Sequence, residues 1–202
     1  MTTLVAVQHE NFCVIAADSQ ATAYNKVLDS SPVGKINLNK NYLIAAAGSA
    51  RGANILAHEW EPPTPRGHLD RFVTRTMIPS MRKLFIASGH DIKGDGQPAS
   101  FDNELLIAVK GTIFHIFDDY GWERCGSKLY ATGSGGDFAL GVLHALKAHE
   151  SDDYEEVVEI VIEAIRIASK LDAYSGGLIQ VAVQNPEGHS MVRTLDEEVD
   201  DA

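Results

Sequence analysis

The sequence predicts an α+β fold, a four-layer αββα sandwich of two stacked antiparallel sheets with helices covering both outer faces. Three observations carry this reading. Short apolar runs punctuated by turn residues come first, helix-periodic stretches follow, and strands, helices and strands then succeed one another through the C-terminal half. Strands and helices grouped this way pack as separate layers. At 202 residues and 45% hydrophobic content the chain fills one core and is short for two ordinary domains. One domain over residues 1–195 is expected, followed by an acidic tail, 196–202, expected to be disordered.

Taken in order, Thr3 to Val7, Cys13 to Ala17, Val33 to Leu38 and Tyr42 to Ala47 are apolar runs separated by His9-Glu10-Asn11 and Asn39-Lys40-Asn41, which predicts strands joined by tight turns. Ser49 to Trp60 changes to small, helix-favouring residues with Ile55 and Leu56 on one face, and the prolines from Pro62 stop it. From His68 to about Ala87, Leu69, Phe72, Val73, Met77, Met81, Leu84 and Phe85 recur at three- and four-residue steps, predicting a second helix kinked at Pro79. Ser88 to Ser100, with Gly89, Gly94, Gly96 and Pro98, reads as a mobile surface loop. Glu104 to Val109 and Thr112 to Phe117, split by Lys110-Gly111, predict a hairpin, and Lys128 to Thr132 a further strand. Helices are expected at about Asp137 to His149 and Tyr154 to Lys170, the latter with an apolar stripe of Val157, Ile160, Val161, Ala164, Ile165 and Ala168; Leu178 to Gln184 and His189 to Arg193 close the chain as strands.

The formal net charge is -11, with acidic excess between Ser151 and Glu163 and again in Asp196 to Asp201. Such a surface repels a phosphate backbone, so no nucleic-acid partner is expected. No stretch reaches the roughly 18 to 20 apolar residues of a membrane span, and the first residues lack the basic and apolar regions of a signal peptide. A cytoplasmic protein is expected. Cys13 and Cys125 lie in apolar, strand-like runs without paired spacing and read as buried structural thiols. His58, His144 and His149 have no partner at metal-ligand spacing. No metal or cofactor is assigned.

A threonine hydroxyl is a poor nucleophile at its ordinary pKa and needs a base. A free α-amino group, with a reference pKa of about 7.7 to 8.0, serves when the threonine is itself the N-terminus. Met1 precedes the small Thr2, a context for removal of the initiator methionine, and Thr2 enters a strand directly. Many proteins begin Met-Thr, so this feature alone says little.

The residues that follow say more. Thr2-Thr3-Leu4-Val5-Ala6-Val7, Ala16-Ala17-Asp18-Ser19-Gln20-Ala21-Thr22, Gly34-Lys35-Ile36 and Ala47-Gly48-Ser49-Ala50 match, in order and spacing, successive segments of proteasome β subunits. Gly133-Ser134-Gly135-Gly136 and Asp172-Ala173-Tyr174-Ser175-Gly176-Gly177 resemble that family's two later active-site motifs, so the resemblance spans Thr2 to about Val183. It implies the N-terminal nucleophile hydrolase fold and a threonine-type endopeptidase.

For each residue a plainer reading stands beside the one implied. Lys35 alone is a surface lysine and Asp18 a strand terminator. By resemblance, the Lys35 ammonium favours the Thr2 alkoxide and keeps the α-amine neutral, while Asp18 orients Lys35. Gly48 could be a strand-to-helix turn; by resemblance its N–H is the oxyanion donor. Ser134 could be a simple N-cap, and Gly176 a helix C-cap beside Asp172 and Ser175. By resemblance, Ser134 contacts the N-terminal amine, and Asp172 and Ser175 hold amine and hydroxyl in geometry. Ala21, Ala46 and Ala50 fall where the family lines its primary side-chain pocket, and small residues there imply a roomy apolar pocket and cleavage after hydrophobic residues.

Two features depart from the pattern. Gln20 stands where many β subunits have arginine, although the related bacterial ATP-dependent heat-shock peptidase often has glutamine. The stretch from Ser30 to Lys35 is one residue longer than the common spacing, so Lys35 is assigned by its Gly-Lys-Ile context, and a one-residue bulge before it reconciles the two. The resemblance further implies stacked rings of six or seven subunits acting on polypeptide substrates, with an ATP-driven unfoldase as partner if the rings are gated. The alternatives are a noncatalytic or unprocessed ring subunit, and an N-terminal nucleophile hydrolase of small amides.

Overall fold

The computed structural model describes residues 2–23, 26–28, 34–91 and 99–195. In chain order the strands are β1 (Thr3–Gln8), β2 (Cys13–Asp18), β3 (Ala21–Ala23), β4 (Lys26–Leu28), β5 (Ile36–Asn39), β6 (Tyr42–Gly48), β7 (Asn103–Val109), β8 (Thr112–Ile116), β9 (Trp122–Glu123), β10 (Leu129–Gly133), β11 (Ile179–Gln184) and β12 (Ser190–Leu195). One sheet has the order β10-β1-β2-β11-β12 and the other β5-β6-β7-β8-β9. Every pairing between neighbours is antiparallel. The small β3–β4 hairpin and β9 carry too few apolar residues to be read from the sequence; Val27 and Leu28 stay exposed.

The helices are α1 (Ala50–His58), α2 (Leu69–Phe72), α3 (Ile78–Ala87), α4 (Gly136–Ala145) and α5 (Tyr154–Leu171). They form the outer layers, and the strand alternation shows why the inner strands read as unbroken apolar runs. Leu4 and Ala6 on β1 meet Leu43, Leu106 and Ile113 of the facing sheet, whereas Val5 and Val7 turn outward to Leu143, Val161 and Ile165 of α4 and α5. On the second sheet Ile44, Leu105, Ile107 and Phe114 meet Leu56, Met77, Met81 and Phe85 from α1 to α3. A strand covered on both faces has no polar side to show.

Local chemistry sets the helix ends. The extended Ser49 caps α1 by accepting from Gly52 N–H, and Asp153 caps α5 by accepting from Glu155 N–H at 2.9 Å. The kink expected at Pro79 is instead a π-helical turn over Val73–Met77, with Ile78 N–H bonded to the Val73 carbonyl. Pro79 follows that turn directly, where the shifted hydrogen-bond pattern accommodates a residue without an N–H. In α5 Ile162 joins the buried stripe while Ile160 is only half-buried. Helix α4 ends at Ala145, four residues before the expected His149, as Lys147 turns left-handed with φ 54°.

Cys13 is a buried strand residue whose thiol burial pushes up to about 12. Cys125 differs from expectation: it follows β9 in a turn, is half-buried, and has Sγ 3.0 Å from Ser127 Oγ. Part of the expected 88–100 loop, the expected bulge before Lys35, Val33, and the 196–202 tail lie outside the described residues. No described helix is long and apolar enough to cross a membrane.

Candidate active site

The start of β1 is held from two sides. On one side Thr3 N–H donates to Asp18 Oδ1 at 2.8 Å, because the β1–β2 register sets the end of β2 opposite the beginning of β1. The same oxygen accepts from Lys35 Nζ at 2.7 Å. Asp18 Oδ2 accepts from Gly176 N–H at 3.0 Å and Gln20 N–H at 3.2 Å. Asp18 is fully buried and Lys35 nearly so. Burial raises the Asp18 carboxyl and lowers the Lys35 ammonium from their ordinary values; their mutual ion pair opposes both shifts, helped at Asp18 by the Thr3 and Gly176 N–H groups and at Lys35 by Asp172. Lys35, just before β5, is thus tied through one oxygen of Asp18 to the backbone N–H of Thr3, the residue after Thr2.

On the other side runs a chain of hydroxyls. Asp172 caps the C-terminal end of α5 in an extended conformation and accepts at Oδ2 from both Ser134 Oγ and Ser175 Oγ, each at 2.6 Å. Ser175 Oγ lies 2.6 Å from Thr3 Oγ1. Burial acts to raise the Asp172 carboxyl, but the Ser134, Ser175 and Tyr174 N–H bonds outweigh it and hold it below the ordinary carboxylate value. Ser134 does not cap α4: the N-cap is Gly135, without a side-chain bond, and the Ser134 hydroxyl turns to Asp172 instead.

Thr2 is buried between these two supports and borders a cavity of about 490 Å³ together with Gly48 and Ser134. Gly48 ends β6 with φ 111°, and a Cβ there would sit 2.4 Å from the Asp102 carbonyl. Only glycine fits that position. Gly133 (φ 87°) lies so close to Thr2 that an added Cβ would be 2.0 Å from the Thr2 carbonyl oxygen.

The structure thus brings Thr2, Asp18, Lys35, Gly48, Ser134, Asp172 and Ser175 to one end of the sandwich. The three alanines are placed differently from one another. Ala21 is half-buried on β3, Ala46 is buried toward the helices covering β6, and Ala50 is exposed at the start of α1. None of them borders the cavity, whereas Ala47 does.

Sequence reasoning passed over Thr3 and Asn103, and noted Gln20 only as a departure from the family pattern without assigning it a role. Gln20 ties the end of β2 to the turn after α5, its N–H reaching the Gly176 carbonyl at 2.8 Å and its Nε2 the Ala173 carbonyl at 3.1 Å. Asn103 Nδ2 donates to the carbonyls of Ala47 and Ser49 at 3.1 and 2.9 Å and so braces the backbone on both sides of Gly48. No local pattern marks either role. Among the described residues no group of three or more His, Cys, Asp or Glu side chains could hold a metal ion.

A family model described as proteasome subunit matches residues 1–61 and 119–184. The chain belongs to the proteasome subunit family. The ATP-dependent protease subunit HslV of Aliarcobacter butzleri is 30% identical over 183 residues, covering 89% of this chain and 95% of the relative. Proteasome subunit beta 2 of Ignicoccus hospitalis is 25% identical over 191 residues, covering 94% and 87%. The solved structure of Thiobacillus denitrificans BPH in complex with epoxomicin has a TM-score of 0.73 at 26% identity, covering 91% of this chain and 98% of that one. The two sheets and their outer helices are the αββα sandwich of the N-terminal nucleophile hydrolases, and the chain is a proteasome/HslV-family peptidase subunit. The family match contains Thr2 and the six residues gathered around it, while residues 62–118, between its two parts, supply Asp102, Asn103, Glu104 and Asp118 to the cavity's lining.

Proposed function

We propose that this chain is a threonine-type endopeptidase subunit of a self-compartmentalised barrel, with Thr2 as nucleophile once Met1 has been removed. The observation that carries this reading is the Asp18 carboxylate, one oxygen of which joins the Lys35 ammonium to the backbone N–H of Thr3. A cation is thereby held beside residue 2, where an alkoxide would form and where its field would keep a neighbouring amine neutral.

In the proposed cycle the Thr2 α-amine takes the proton from Thr2 Oγ1 as that oxygen attacks the scissile carbonyl. Gly48 N–H donates to the resulting oxyanion. The carbon–nitrogen bond breaks as the protonated amine returns its proton to the leaving nitrogen, which leaves an ester on Thr2. The same amine then deprotonates a water molecule that attacks the ester, and the proton returns to Oγ1 as the acid product leaves. Ser134, Asp172 and Ser175 keep amine and hydroxyl in line. Relatives named as HslV and proteasome subunits support assembly into stacked hexameric or heptameric rings around unfolded polypeptide substrates, and the ATP-dependent relative supports an unfoldase partner.

The test is intact mass spectrometry before and after incubation with an epoxyketone, a warhead that requires both the hydroxyl and the free α-amine of one residue. Absence of Met1 together with a single adduct on Thr2 is expected. Retained Met1 and no adduct would instead indicate an unprocessed or structural ring subunit.

A further inference from the structure

The wall of the cavity facing Thr2 is acidic. Asp102, Glu104, Asp118 and Asp137 line it, and among the described residues no lysine, arginine or histidine does. Glu104 is engaged, accepting from Thr132 Oγ1 and lying 3.3 Å from His115 Nε2. The Asp118 carboxylate accepts from a neutral donor, Ser100 Oγ, at 3.1 Å. Among the described residues, Asp102, Asp118 and Asp137 form no ion pair. The strands place three of these acids: Asp102 precedes β7, Glu104 lies on it, and Asp118 follows β8. These three fall between the two stretches that the family model matches.

The cavity is a site on grounds separate from its charge, since Thr2 and Gly48 both border it. A peptide whose scissile carbonyl lies between the Thr2 hydroxyl and the Gly48 N–H has its neighbouring side chains in this space. Acidic residues on a concave wall, of which Asp102, Asp118 and Asp137 have no ion-pair partner among the described residues, reinforce one another's potential, which attracts a cation and repels an acidic side chain. We propose that this cavity selects polypeptide segments carrying lysine or arginine within two residues of the scissile bond, with Asp102 and Asp118 as the residues that set the preference. This rests on Thr2 being the nucleophile. It adds a charge requirement that the three alanines do not supply.

The experiment measures binding and cleavage separately. Labelled heptapeptides carry lysine, norleucine or glutamate in turn at each of the two positions on either side of the central bond. Their affinities are measured by fluorescence anisotropy on a Thr2→Ala variant, with Thr2→Val as a second non-cleaving form should the first fold poorly. In one or more positions lysine is expected to bind about fivefold tighter than norleucine, with glutamate weakest. The advantage should shrink in 0.5 M salt and be lost in Asp102→Asn/Asp118→Asn. Quenched versions of the same peptides should show the same order of kcat/KM on the unsubstituted enzyme. Equal affinity for lysine and norleucine peptides, or a lysine preference that survives the double substitution, overturns the proposal. If epoxyketone forms no adduct yet the variants still prefer basic peptides, the nucleophile assignment fails and the cavity's selectivity stands. An adduct without basic preference is the reverse.

Discussion

Thr3 and Ser175, 172 positions apart in the chain, meet through their hydroxyl oxygens at 2.6 Å. Ser175 gives its single proton to Asp172 Oδ2, so Thr3 is the donor and Ser175 the acceptor. The direction of this bond ties the first residue of β1 to the turn after α5 and fixes the backbone from which Thr2 projects.

Replacing Thr3 by valine keeps the shape and removes the donor, leaving a buried acceptor at Ser175. A loss of about 1 to 2 kcal/mol is expected in urea unfolding, whereas Thr3→Ser should stay near the unsubstituted value. The peptidase reading adds that kcat falls more than KM rises in Thr3→Val, because the nucleophile's position and not substrate contact is disturbed.

Asp18→Asn leaves Lys35 buried without its counter-ion, and Lys35→Met leaves Asp18 with its backbone donors only. Removing one partner of a buried pair costs about 3 to 5 kcal/mol, so Asp18→Asn should lower stability more than Lys35→Met, as read by thermal unfolding. Both should abolish epoxyketone labelling of Thr2. In the active enzyme, burial lowers the Lys35 pKa from its usual 10.5, so kcat should fall with rising pH before 10.5 is reached as the ammonium is lost.

Gly48→Ala puts a methyl group 2.4 Å from the Asp102 carbonyl oxygen on a backbone at φ 111°. Strain of about 1 to 3 kcal/mol is expected, with local displacement of the Gly48 N–H. Hydrogen exchange across β6 and β7 reports the displacement. A proportionate loss of kcat without loss of the folded state would tie that N–H to the oxyanion.

The Asp172 carboxyl lies below its usual 3.8 once folded. A group depressed on folding stabilises the native state fully above its unfolded pKa, and that contribution disappears as pH falls through the folded value. The Asp172→Asn variant should therefore be less stable than the parent at pH 6, and the gap should narrow below pH 3.8. Acid titration followed by circular dichroism measures it.

Much of the layer order was legible in the sequence because turns, caps and periodicity act within a few residues. Pro62 ends a helix locally, Lys110-Gly111 makes its hairpin locally, and the stripe from Val157 to Ala168 needs no knowledge of what it meets. The six motif segments also announced the residues that gather around Thr2. The β3–β4 hairpin escaped because its short, exposed strands carry no burial signal, and Ser134 was open to an N-cap reading because only packing decides whether a hydroxyl faces its own helix or Asp172.

The sequence by itself determined the strand and helix pattern, the family resemblance and the identity of the chemical groups at residues 2, 18, 35 and 48. Only the tertiary structure decided that Leu4 faces the other sheet while Val5 faces α4 and α5, that Thr3 hangs between Asp18 and Ser175, and that four acidic residues line the space beside Thr2 while Ala46 turns away. The reason is physical. Local conformation depends on neighbours in the chain, whereas burial, charge and cavity shape depend on groups that only the packing of two sheets brings together.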